Sequence, residues 1–184
     1  MKRMHRHSGS TITELMVVVT IVAILLSIGV PSFRYVTNSY RMSAEVNSLL
    51  GDLQYARAEA IKEGQPVVVC TSTTGTSCSG SNSWQSGWIV FQDLNNNGQV
   101  DANEKVLHIQ AAFTGTTPDT FSPNTGVNQI SFNREGFASS SAGFVTSTFT
   151  LQDSTANGAW TRCLLVNPVG VVTTAQHSLS PGTC

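Results

Sequence analysis

The stretch STITELMVVVTIVAILLSIGV, residues 10–30, decides the architecture of this chain. As a helix its 21 residues would be about 31 Å long, close to the thickness of a bilayer core. The basic residues Lys2, Arg3 and Arg6 precede it and favour a cytoplasmic N-terminus, with the rest of the chain on the other side. One carboxylate, Glu14, lies near the start of the apolar run.

The position of Glu14 suggests how the segment is used. A carboxylate at membrane depth needs a positively charged partner. An ordinary signal peptide would be removed after the run, but SIGVPSFRY there contains no Ala-x-Ala site. A cut between Gly9 and Ser10 would keep the helix and create an ammonium group four residues from Glu14. In staggered parallel helices, Glu14 of one subunit could then pair with the amine of another. The alternative is that Glu14 reaches the lipid headgroups.

The rest of the chain is polar but weakly charged. Of all 184 residues only 11% are charged, and loss of the first nine would leave 7 basic against 11 acidic residues, a net charge of −4. Such a chain repels phosphate on average, so nucleic-acid binding through counterion release is not expected.

The four cysteines predict an oxidising compartment. They form no CxxC pair, so a zinc ribbon or thioredoxin site is not supported. Three disulfide pairings exist, and sequence proximity favours Cys70 with Cys78 and Cys163 with Cys184. Two disulfides place this part of the chain in a periplasm or outside the cell.

Two patterns follow the apolar run. Residues 31–64 continue the helix as an amphipathic segment, in which Pro31 predicts a kink and Gly64 a helix end. From residue 65, seven short β-type runs alternate with Gly-, Ser-, Asn- and Pro-rich turns. The fold class is therefore α+β, with a long N-terminal helix, membrane-spanning in its first half, packed on an antiparallel β domain. The boundaries are 1–9 for a leader, 10–30 and 31–64 for the two halves of the helix, and 65–184 for the β domain.

The segment DLNNNGQVDANE, residues 93–104, matches the EF-hand calcium loop at every ligand position. The predicted ligands are Asp93, Asn95, Asn97, Gln99, Asp101 and Glu104. However, the flanking runs predict strands and not helices. The alternative is a metal-free hairpin whose turn is Asn97–Gly98 and whose Asp and Asn side chains bind the loop backbone. No cofactor is required, and calcium is an optional ligand that would stiffen the hairpin.

Catalytic motifs are missing from the sequence. There is no GxSxG nucleophile elbow and no phosphate-binding glycine loop. His108 lies in a strand-like run and is expected to be a satisfied sheet residue. We therefore predict that the protein is not an enzyme.

Several motifs resemble a known family. Gly9 followed by STITEL and an apolar run is similar to the class III signal of type IV pilins and type II secretion pseudopilins. The runs GDLQYARAEAIKEG, GWIVFQDLNNNG and ISFNREGFA resemble the GspH/FimT group of minor pilins and pseudopilins. The resemblance implies the type IV pilin fold, cleavage after Gly9, N-methylation of Ser10, and a role for Glu14 in assembly. Ser10 and Thr13 depart from the usual Phe and Ile.

The resemblance also implies function. The expectation is a minor pilin that helps to initiate a type IV pilus and lies near its tip. Its partners would be the prepilin peptidase, the major pilin and other minor pilins. It would first be a single-pass inner-membrane protein with a periplasmic C-terminal domain, and then part of a pilus or pseudopilus. The alternatives are a type II secretion pseudopilin and a DNA-binding or adhesive minor pilin. Some members bind DNA through a basic Gly-Arg-x-Arg motif, but PVGVVTTAQ at that place lacks the arginines, so nucleic acid is an unexpected partner.

Overall fold

The computed structural model describes residues 11–114, 119–124, 126–143, 145–177 and 184. It divides into two compact units, the first ending at Ser39 and the second comprising Tyr40–Cys184. Helix α1 (Ile12–Glu63) contributes to both units.

The first part of α1 is long and apolar enough to cross a membrane, and among the described residues it is the one helix that meets this description. Its large apolar side chains are exposed to their surroundings from Ile12 to Val30. The helix continues through Pro31 without a break. A bend at Pro31, where one backbone donor is missing, stays a prediction.

The second part of α1 packs on the β domain, as its amphipathic pattern predicts. The predicted stripe contains six residues: Val46, Leu49, Leu50, Leu53, Ala56 and Ala60. Five of them are buried, and Leu50 is half-buried against the same core. Met42 extends the same stripe by one turn and is also fully buried. The helix ends before Gly64, whose φ of 66° is favourable only for a residue without a Cβ.

In the described part of this unit, nine strands form two antiparallel sheets. The first sheet has the order β3-β2-β1-β5-β6 and the second the order β4-β7-β8-β9. Their bounds are β1 (Val67–Thr71), β2 (Gly87–Gln92), β3 (Val106–Ala111), β4 (Thr120–Pro123), β5 (Gln129–Phe132), β6 (Ala138–Ser140), β7 (Ser147–Gln152), β8 (Arg162–Val166) and β9 (Val172–Gln176). A short 3-10 helix, Trp84–Ser86, precedes β2.

The sequence predicted seven of these strands and missed β4 and β6. Both are short edge strands, β4 with only four residues and β6 with three. β6 consists of alanine and serine, and β4 ends in a proline, which is confined to edge strands or strand ends. Pairing with β7 and β5, respectively, makes them strands.

The main core lies between the buried stripe of α1 and both sheets. Trp84 and Trp88 are fully buried there, and their indole nitrogens donate to the Val127 carbonyl (2.8 Å) and the Asp52 carboxylate (2.7 Å). A smaller core on the opposite face of the first sheet contains Val68, Cys70, Ile89 and Phe91. Cys78 and Val100 from two long loops pack against it. Consequently β1 and β2 are buried on both faces, which explains their continuous apolar sequences.

Candidate assembly site and calcium loop

The first turn of α1 contains Glu14, the predicted assembly residue. The Thr11 hydroxyl accepts a hydrogen bond from the Glu14 backbone N–H (3.2 Å), and the Thr11 carbonyl accepts one from Leu15 N–H (3.1 Å). Thr11 is therefore the N-cap of the helix, and Glu14 occupies the third helical position, as in a capping box. A carboxylate in the first turn also interacts favourably with the helix dipole. Gly9 and Ser10, the predicted cleavage and methylation residues, lie outside the described residues.

The Asp93–Glu104 loop connects β2 to β3, and hydrogen bonds of its Asp, Asn and Glu side chains hold it together. Both oxygens of the buried Asp93 carboxylate accept backbone N–H groups, from Asn97 (3.0 Å) and Gly98 (2.8 Å). The Glu104 carboxylate joins the two ends of the loop by accepting from Leu94 N–H (2.8 Å) and Asp101 N–H (3.0 Å).

Other contacts in this loop favour the metal-free arrangement. The side-chain nitrogens of Asn95 and Asn97 both donate to Asp101 Oδ2, at 2.7 and 2.8 Å. A calcium ion would need amide oxygens, so both side chains would have to turn. The residues with positive φ are Asn96 and Gly98, which differs from the two-residue Asn97–Gly98 turn of the hairpin alternative. The backbone N–H of Gln99 donates to the Asn97 side chain (2.7 Å).

Both predicted cysteine pairs are bonded in the structure, Cys70 to Cys78 and Cys163 to Cys184. The first closes the loop that covers the smaller core, and the second attaches the last residue to β8. His177 lies within 4.8 Å of both sulfurs of the second pair. Because those sulfurs are joined to each other, they are not available as thiolate ligands.

A polar chain connects α1 to the edge of the first sheet. Asp52 on α1 accepts from Trp88 Nε1 through one oxygen, and its other oxygen lies 3.1 Å from His108 Nδ1 on β3. Ser48, one turn earlier, donates to the Gln110 side chain of the same strand (3.0 Å). His108 is thus a partnered sheet residue, as the sequence predicted.

Arg57 joins α1 to both sheets, a role that the sequence did not reveal. Its Nε donates to the Gly136 carbonyl (3.1 Å) and its Nη2 to the Val169 carbonyl (3.3 Å). Gly136 belongs to the β5–β6 turn of the first sheet and Val169 to the β8–β9 turn of the second. We call these three residues the Arg57 clasp.

The two turns of the clasp have the same construction, Asn-x-x-Gly. In each, the glycine N–H donates to the asparagine carbonyl at 2.9 Å, Gly136 to Asn133 and Gly170 to Asn167. Each glycine has a positive φ, 82° and 79° respectively. A Cβ on Gly170 would overlap the Gly136 carbonyl oxygen, so the turns pack directly against each other. The repeated Asn-x-x-Gly spacing indicates two similar turns, but the sequence does not indicate that they meet.

A buried acidic pair lies at the other end of the packed part of α1. Arg41 Nη1 is 3.1 Å from Asp119 Oδ2, and Asp119 is almost completely buried. Burial, and then a hydrogen bond and repulsion from Asp119, raise the pKa of the Glu45 carboxyl to about 8. Glu45 is therefore mostly protonated at neutral pH.

Comparison with known proteins identifies the family. The family model described as type II transport protein GspH matches residues 45–170, which is more than half of the chain. The chain belongs to the GspH family. A second model, the prokaryotic N-terminal methylation motif, matches residues 4–30 of this GspH-family chain. That motif implies processing by a prepilin peptidase and assembly with other pilins, and with the apolar helix it is consistent with anchoring in the inner membrane.

Solved structures confirm the type IV pilin fold. Two crystal forms of the Pseudomonas aeruginosa PAO1 type IV minor pilin FimU are similar to the GspH-family chain. The P65 form has a TM-score of 0.55 and covers 79% of this chain and 98% of FimU. The P21 form has a TM-score of 0.59, and the match covers 83% of this chain and 98% of FimU. Sequence identity is 19% in both, so the similarity concerns the fold. No curated protein matches the sequence. The family and fold are those of structural pilin proteins.

Proposed function

We propose that this chain is a minor type IV pilin that helps to initiate pilus assembly and lies near the pilus tip. The observation that carries the proposal is the N-terminal methylation motif continuing into the exposed apolar part of α1. An exposed apolar helix is unstable in water and needs lipid or other helices around it. A membrane provides the first environment and a filament of packed pilin helices the second.

In the proposed mechanism, a peptidase cuts after Gly9 and methylates Ser10, and Glu14 then sets the position of the subunit. The Glu14 carboxylate pairs with the N-terminal amine of a neighbouring subunit. Pairing neutralises two charges that are costly in an apolar environment, so it favours one stagger between helices. The capping-box position of Glu14 gives the competing explanation, in which the carboxylate only stabilises its own helix start.

Replacement of Glu14 distinguishes these explanations. Glu14→Ala should leave cleavage after Gly9 intact, as measured by mass spectrometry of the mature N-terminus, yet remove the protein from sheared filaments. Thr11→Ala is the matched control because it removes the N-cap hydroxyl and keeps the carboxylate. Equal incorporation of the Glu14→Ala and wild-type proteins would refute the charge-pairing mechanism. A mature protein that begins beyond Pro31 would refute the proposed function itself.

The second candidate is a type II secretion pseudopilin, and the description of the family model favours it. The physical role of α1 would be the same, in a short periplasmic filament. Deletion of the gene distinguishes the minor-pilin role from the pseudopilin role. Loss of surface pili would support a minor pilin, whereas loss of hydrolase secretion with normal pili would support a pseudopilin. For a DNA-binding or adhesive role, an electrophoretic shift at physiological salt is the test for DNA, and the absent Gly-Arg-x-Arg arginines predict no shift.

A further inference from the structure

The Arg57 clasp is surrounded by exposed apolar side chains. Phe137 and Val171 each follow the glycine of one turn, Val169 lies inside the second turn, and Ile61 is one helical turn beyond Arg57. Their side chains are 43–53% exposed. A Cβ on Gly136 would come within 2.9 Å of Ile61 Cδ1, which places the helix residue directly beside the first turn. We call Ile61, Phe137, Val169 and Val171 the clasp surface.

The basic residues around the clasp surface differ in whether a carboxylate neutralises them. Lys62 is 3.2 Å from Glu59 and 3.0 Å from Glu63, and Arg134 is 2.8 Å from Glu135. Arg57 differs, because it donates to the neutral carbonyl oxygens of Gly136 and Val169, and no carboxylate of the described residues forms a salt bridge with it. The centre of the apolar surface therefore has one positive charge that the described part of the chain does not neutralise.

The chain's own C-terminal end is an unsuitable occupant. Cys184 is bonded to Cys163, which pairs with Ala175 near the far end of β9. The clasp surface lies at the opposite end, where β9 begins after Val171. Four residues of extended strand separate the two places by about 13 Å.

We propose that the clasp surface binds a neighbouring pilin-type subunit through an apolar segment that contains an aspartate or glutamate. The apolar side chains would bury against that segment, and its carboxylate would pair with Arg57. A partly buried arginine with apolar neighbours is a common centre of protein interfaces. This inference rests on the proposed function, because it names the surface by which the subunit would contact its neighbour.

Site-specific cross-linking in cells that assemble the filament tests the proposal. A photoreactive phenylalanine analogue replaces Val169 in the full chain, and the same analogue at Ile109 is the control, since Ile109 is 55% exposed on β3. We expect the Val169 position alone to cross-link to a pilin-type subunit that is not a copy of this chain, through a peptide with an acidic residue. A cross-link only to lipid, to a second copy or to nothing, or the same adduct from Ile109, would overturn the inference.

A double variant, Phe137→Ser with Val169→Ser, separates this inference from the proposed function. Both side chains are exposed, so the melting temperature should change little. The amount of this protein in purified filaments should fall about fivefold or more. Ile109→Ser with Val145→Ser is the matched control. Wild-type filament content of the double variant would refute the surface alone. Absence of the wild-type protein from filaments would refute the proposed function and this inference together.

Discussion

Arg57 Nε donates a hydrogen bond to the carbonyl oxygen of Gly136 across 3.1 Å, which attaches the long helix to a hairpin turn. The same guanidinium also reaches Val169 in the turn of the other sheet. The backbone N–H of Ala138 donates to the Pro168 carbonyl (2.9 Å), which joins these turns directly. Three elements that are distant in sequence thus meet at one side chain.

Arg57→Gln should destabilise the protein. It removes two hydrogen bonds from a charged donor, and we expect a loss of about 1–3 kcal/mol in the free energy of unfolding. Lys62→Gln is the control, because its ion pairs are at the surface and should contribute little to stability. Urea denaturation measures both. Equal losses for the two variants would mean that the clasp does not stabilise the fold.

Gly170→Ala should be more harmful than Gly143→Ala. Both glycines have positive φ, 79° and 96°, so each alanine adds backbone strain of roughly 1–2 kcal/mol. At Gly143 no further described atom lies within 4 Å, whereas at Gly170 the new Cβ would overlap the Gly136 carbonyl. The difference between the two melting temperatures isolates the close packing of the turns. Similar melting temperatures would contradict that packing.

Glu45 should make stability depend on pH. Its pKa is 4.5 in the unfolded chain and about 8 in the folded protein. Between these values the folded protein holds a proton that the unfolded chain has lost. The contribution of Glu45 to stability is therefore complete below about pH 4.5, decreases as pH rises, and is lost above about pH 8.

Glu45→Gln tests this pH dependence. Glutamine cannot ionise, so the variant should lose less stability than wild type when the pH rises from 5 to 8. Glu59→Gln is the control, since Glu59 pairs with Lys62 on the surface. Urea denaturation at several pH values measures the slope. Parallel profiles for wild type and Glu45→Gln would show that this carboxyl does not titrate as stated.

We propose that the Asp93–Glu104 loop binds calcium. Binding would turn the Asn95 and Asn97 amides away from Asp101 and should raise the melting temperature of the protein. Glu104→Gln should abolish the rise by removing the bidentate ligand. Glu135→Gln, outside the loop, should retain the full rise. Calorimetry that gives the same heats for wild type and Glu104→Gln would refute calcium binding by this loop.

The sequence alone predicted the α+β fold, the extent of the long helix and its buried stripe, because each depends on local periodicity. An apolar run of 21 residues and a repeat of three to four residues need no tertiary context to be recognised. The family resemblance came from short motifs, and the family model and FimU structures confirm it. The roles of Gly9, Ser10 and Glu14 stay predictions.

Only the tertiary structure determined the two short edge strands, the contacts of Arg57 and the raised pKa of Glu45. Strands β4 and β6 are recognised through pairing, since they are only four and three residues long and give too short a pattern to predict. Arg57 has a role only because the fold brings the Asn133–Phe137 and Asn167–Val171 turns together, where both accept hydrogen bonds from its side chain. Likewise, the unusual proton affinity of Glu45 requires burial beside Asp119, 74 residues away in the sequence. Such long-range contacts leave no local pattern, because folding, and not spacing, determines which groups become neighbours.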